Sequence, residues 1–332
     1  MRSRSKVSQS RSAAGLGGCD SRRYGRRVRD STSHRARPGT PAATQPTLRL
    51  TSAVAGHHAH VVRNRLAVAT DRVLGTPQQG NPFGLVEALL GLLGGFLLAT
   101  AAVSAYDSLE HLHGTSVTYG QTAVSLIALW VGFAGSAIAA SRLRVPPAAA
   151  ESDAAVRRGT GSVIADYGFR LRPWPDIPLG IVVGVLSQFL LVPLLELPLQ
   201  PFVPHLSQRL GGPANQLLSP ATSSGTGGLV LVAVLICVGS PIVEELFFRG
   251  LVLRALLWRL RPLGRRLGPI LSIVVTGLFF GLVHFEALQF LGLAGFGMVL
   301  CLLAWRSGRL GASIVAHMAF NATTVIAYVI TH

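Results

Sequence analysis

From about Pro82 to the C-terminus the chain consists of long apolar runs broken by short polar stretches. The runs cover Pro82 to Tyr106, Gly120 to Ser141, Ile177 to Leu197, Gly228 to Leu257, Pro269 to Glu286, Ala287 to Trp305 and Leu310 to Ile330. Each is near or above the roughly 20 residues that a helix needs to cross a bilayer core, and too long for the helices of a globular core. The pattern predicts an all-α, polytopic transmembrane helical bundle of about seven spans.

The polar breaks carry a second pattern. Asp107 to Tyr119 has no Lys or Arg, whereas Arg142 to Asp176 has six Arg. Pro198 to Gly227 has one, Arg259 to Arg266 has four, and Arg306 and Arg309 occupy the last break. Basic loops are retained on the cytoplasmic side, so the alternation predicts a cytoplasmic N-terminus and an outer C-terminus. The stretch DYGFRLRPWPDIP interleaves Tyr167, Phe169 and Trp174 with Arg170 and Arg172, the composition of an interfacial anchor.

Composition sharpens this picture. The 332 residues are 49% hydrophobic and 13% charged, with a mean hydropathy of +0.47. A soluble domain carries roughly 25% charge, so an ordinary cytosolic protein is excluded. The formal net charge is +16, but 15 of the 30 basic and only 3 of the 14 acidic residues precede Pro77. Residues 1–80 are therefore expected to be a basic, disordered tail, rich in Arg, Ser, Gly and Pro and without apolar periodicity. Charge alone carries no address, and nucleic acid is not expected as a partner. Residues 81–145 then hold two accessory transmembrane helices, 146–176 a cytoplasmic loop, and 177–332 the core. Basic residues comprise 29 Arg and one Lys, which suggests a GC-rich genome and places the chain in a bacterial cell membrane. Cys19, Cys237 and Cys301 are too few and too scattered for a disulfide framework or a zinc quartet.

Ionisable side chains inside a span are costly, on the order of 2.5 to 3.5 kcal/mol each, so those that occur carry information. The informative ones fall in the last four runs: Glu244, Glu245 and Arg249, then His284, then His317 with Asn321. On an α-helix Glu244 and Glu245 project about 100° apart, while Glu245 and Arg249 are four residues apart with the acid first, the favoured order for an ion pair. Arg249 should neutralise Glu245, which leaves Glu244 without a helical partner and suited to general-base work. Phe280 and His284 share a face, as do His317 and Asn321. Counting about 1.5 Å per residue from the cytoplasmic ends puts Glu244 and His284 roughly 20 Å deep, Asn321 slightly less and His317 roughly 12 Å, so the groups converge near mid-membrane. Pro241, after Gly239 and Ser240, should loosen the fourth span and free carbonyls just before the acids.

In order, these residues read Glu244-Glu245-x-x-x-Arg249-Gly250, Phe280-x-x-x-His284 and His317-x-x-x-Asn321. The set resembles the three-motif signature of the CPBP family, the CAAX proteases and bacteriocin-processing proteins, which includes the type II CAAX prenyl endopeptidases. The resemblance covers roughly Ile177 to Ile330. It implies a helical intramembrane glutamic-type endopeptidase in which Glu244 and His284 activate a water, His317 and Asn321 stabilise the oxyanion, and Glu245, Arg249 and Phe280 support them. It also implies no cofactor. The partners are then the lipid bilayer and a peptide or protein substrate.

Three other readings fit parts of the pattern. A non-catalytic membrane scaffold or chaperone would keep the polar cluster as a recognition pocket, and a transporter would use the same carboxylates as a proton relay. A zinc-dependent intramembrane metalloprotease would take Glu244, His284 and His317 as a His₂Glu set, although HExxH is absent. The intact, ordered motifs favour the protease without metal.

Overall fold

The structure, a computed structural model, describes residues 84–112, 117–142, 144–145, 156–157 and 160–331. The expected tail, residues 1–80, and much of the expected loop lie outside the described residues.

Among the described residues seven helices are long and apolar enough to cross a membrane: Leu85–Leu109, Tyr119–Arg142, Pro173–Leu199, Thr226–Arg259, Arg261–Leu282, Phe290–Ser307 and Gly311–Thr331. They coincide with the seven apolar runs, and the chain is a multi-pass, all-helical integral membrane protein. Among the described residues the one β feature is a two-residue antiparallel ladder that pairs Arg144 with Arg157 between the second and third spans.

Lipid tails are as apolar as leucine, so close packing and polar pairs hold such a bundle together. Small residues allow the first two spans to touch along their backbones, since a Cβ on Gly132 would run into the Gly95 backbone. Their outer faces stay apolar and exposed, with Leu97 at 72% and Val131 at 60%. The second span is not peripheral to the core: Phe133 stacks on Phe247 of the fourth span, with ring centroids 4.2 Å apart.

The sequence DYGFRLRPWPDIP departs from its reading as a surface anchor. Trp174 is 81% exposed, but Tyr167 is fully buried. Its hydroxyl donates to the Ala137 carbonyl at 2.6 Å, and its own carbonyl accepts from Arg254 at 2.7 Å. Burial pushes the phenol above its ordinary pKa. Composition places aromatic residues near an interface, but it does not say which of them folds back onto a neighbour. A few residues on, Asp176 accepts from Arg309 at 2.5 Å, which ties the start of the third span to the last basic break; this hydrogen bond raises the Arg309 pKa.

The break between the third and fourth spans is also more ordered than its Gly, Pro and Ser content predicts. It contains the helices Leu206–Leu210 and Gly212–Ser223, the second of which packs Leu218 and Ala221 against Val325 and Tyr328 of the seventh span.

Two spans change their winding. Ser187–Leu191 and Leu235–Gly239 are π-helical, and each is followed after one more residue by a proline, Pro193 or Pro241. A proline ring collides with the carbonyl four residues back and offers no N–H, and a wider turn moves that carbonyl aside. A third wide segment, Glu245–Val252, lies in the fourth span directly after the first acid.

Candidate active site

Glu244 closes the α-helical stretch Ser240–Glu244, and Glu245 opens the wide stretch that follows. The two acids have different surroundings. Glu245 is fully buried, and its Oε1 accepts from Arg249 Nη1 at 2.8 Å. The same oxygen lies 3.1 Å from His317 Nδ1. Arg249, 1% exposed, also donates from Nη2 to the Gly297 carbonyl at 3.1 Å, and its guanidinium carbon sits 4.4 Å from the centre of the Phe280 ring. That carbonyl is within reach because the fifth and sixth spans meet at two glycines: a Cβ on Gly297 would lie 3.1 Å from the Gly277 backbone.

Glu244 has no arginine partner among the described residues. Its Oε2 is buried and accepts no hydrogen bond among the described residues, and it lies 4.0 Å from His317 Nε2. The imidazole of His317 is thus flanked by a carboxylate at each nitrogen, one committed to Arg249 and one free.

His284 lies outside the fifth helix, which ends at Leu282 rather than continuing to Glu286. The chain turns through Phe285, whose φ of 57° is left-handed. His284 Nδ1 is 2.6 Å from the Phe280 carbonyl. A carbonyl only accepts, so Nδ1 carries the proton and Nε2 of the neutral ring is an acceptor. The side chain in this way caps a carbonyl that the end of the helix leaves open. Phe280 links both histidines, with its ring centroid 4.6 Å from that of His284 and 5.6 Å from that of His317.

Asn321 shares the His317 helix face as expected, but one of its amide protons is engaged elsewhere: Nδ2 donates to the Ile236 carbonyl at 2.8 Å. Two further groups escaped the reading of the sequence. Phe296 packs edge-on to His317 at 5.7 Å and stacks on Phe320 at 3.9 Å, and nothing distinguishes it from other Phe residues in an apolar run. Glu196, 6% exposed near the end of the third span, is a buried acid outside the last four runs, and its position only a few residues inside a run hid it.

The depth count misplaced His317, which lies beside the acid pair instead of roughly 8 Å short of it. Counting from the cytoplasmic ends assumes upright spans with equal starts, whereas packing sets their offsets. Among the described residues no three of His, Cys, Asp and Glu gather closely enough to hold a metal ion.

No curated protein and no solved structure matches the chain. The family model described as type II CAAX prenyl endopeptidase Rce1-like matches residues 226–323, a stretch that holds all three motifs. The match is to the family that the motif order resembles.

Proposed function

We propose that the chain is an intramembrane glutamic-type endopeptidase that cleaves a membrane-associated peptide or protein. The observation that carries the reading is the asymmetry of the acid pair. Glu245 is bound through Oε1 by Arg249 and His317, whereas Glu244 has no arginine partner among the described residues and its Oε2 only approaches the same histidine, at 4.0 Å. A free carboxylate in a largely water-excluded site can take a proton from a bound water.

In this mechanism Glu244 removes the proton, assisted by the acceptor Nε2 of His284, and the hydroxide adds to the scissile carbonyl carbon. The oxyanion that forms is met by the remaining N–H of Asn321 and, when the ring carries both protons, by His317 Nε2. Glu244 then returns the proton to the amide nitrogen as the C–N bond breaks, which releases a new carboxylate and a new amine. Glu245 and Arg249 hold His317 in place, and Phe280 spaces the two histidines. The alternation of basic breaks supports a cytoplasmic N-terminus, and the Lys-poor composition supports a bacterial cell membrane.

Comparing protein termini in membranes that contain the wild type or Glu244→Gln tests this reading and searches for the substrate at once. New termini that require Glu244 are expected. Identical termini in both membranes would count against proteolysis and return the cluster to a recognition role.

A further inference from the structure

We propose that Pro241 is a positioning residue that aims the Asn321 amide by way of the Ile236 carbonyl; the inference rests on the reading of Asn321 as an oxyanion donor. In the wide turn Leu235–Gly239 the Ser240 N–H donates five residues back, to the Leu235 carbonyl. The next bond in that register would run from residue 241 to the Ile236 carbonyl, but residue 241 is proline and has no N–H. In α-helical register the donor to Ile236 would be Ser240, which is already committed. Neither register provides the Ile236 carbonyl with a partner in its own helix.

Asn321 Nδ2, from the seventh span, fills this gap at 2.8 Å. The bond does more than satisfy a carbonyl. Because a carbonyl only accepts, it fixes which end of the amide is the NH₂ and directs the second N–H along one line. Without it the amide could turn over and present an oxygen to the oxyanion, which would repel it. The Phe280 carbonyl constrains His284 in the same way, so two of the proposed catalytic side chains have their polarity set by backbone carbonyls at places where normal helical bonding stops. Pro241 lies three residues before Glu244, so one interruption both opens the wide turn ahead of the acids and orients a donor across from them.

Replacing Pro241 with alanine restores an N–H that can take the Ile236 carbonyl and release Asn321. The test is a double-mutant cycle on the full chain in detergent with Pro241→Ala, Asn321→Ala and both, in which thermal midpoint, kcat and KM are measured. Asn321→Ala is expected to lower the midpoint by several degrees in the presence of Pro241 and to have little effect once the substituted alanine provides the donor. Pro241→Ala is expected to lower kcat about tenfold with KM little changed, and to cause no further loss when Asn321 is already alanine. Additive effects on both the midpoint and kcat overturn the proposal. Should Asn321→Ala fail to fold, its recovery on adding Pro241→Ala is the expected coupling, and persistent failure overturns it. The unfolding cycle needs no substrate, so an absent coupling is seen there independently of cleavage. A cycle that shows the coupling in the midpoint, together with a wild type that cleaves nothing, counts against the protease reading alone.

Discussion

His317 meets Glu245 at the same carboxylate oxygen that binds Arg249, with Nδ1 3.1 Å from Oε1. The contact joins the fourth span to the seventh at a point where both side chains are buried. It gives the two adjacent acids different surroundings, and under the proposed mechanism their substitutions should separate accordingly.

Glu244→Gln is expected to reduce peptide cleavage by more than about a hundredfold while the thermal midpoint in detergent stays near that of the wild type, because shape and hydrogen-bonding capacity are kept and only the base is lost. Glu245→Gln is expected to lower the midpoint as well as the rate. Activity assays and unfolding curves on the two purified variants check this, and a Glu244→Gln protein that cleaves at near the wild-type rate would exclude Glu244 as the base.

Arg249→Ala leaves Glu245 as a buried charge without its arginine partner. Breaking such a pair costs roughly 3 to 5 kcal/mol, so a marked loss of stability is expected together with loss of activity. Removing the acid at the same time, in Glu245→Gln with Arg249→Met, should recover part of the stability. Calorimetry on the three proteins decides, and an unchanged midpoint for Arg249→Ala would contradict the pairing.

Prolonged treatment with a chelator is expected to leave activity intact, with elemental analysis finding well under one zinc per chain. Zinc near one per chain, with activity lost on its removal and restored on its return, would overturn the glutamic mechanism in favour of a metal-dependent one.

Orientation is checked with single cysteines in a background without the native ones. An impermeant thiol reagent added to intact cells is expected to label Ser223→Cys and to spare Leu263→Cys, because the latter lies in a basic break that the positive-inside rule keeps in the cytoplasm. The reverse pattern would invert the topology.

The spans were legible in the sequence because a bilayer demands length and apolarity, both of which are local properties. The pair of Glu245 and Arg249 was legible too, since four residues bring side chains together on a helix and the wide turn that carries them still closes to 2.8 Å. The contact of His317 with Glu245 was not, because it depends on how far one span is shifted along another. The bond from Asn321 to Ile236 was half legible: Pro241 announced that carbonyls would be freed, but not which side chain would find one. The end of the fifth helix at Leu282 was hidden inside a continuous apolar run, where hydrophobicity gives no sign that the backbone turns.

The wide turn Leu235–Gly239 also bears on how the fourth span tolerates a change in length. A π turn is an α-helix with one extra residue taken up in a single wide turn, so the stretch that begins at Ser240 keeps the phase it would have without it. Deleting one of residues 237–239 would leave Glu244 and Glu245 on nearly the same face, but it would set Pro241 four residues after Ile236, where the ring meets that carbonyl. The extra residue thus leaves the acids where they are and changes the backbone beside them, at the carbonyl that Asn321 reaches.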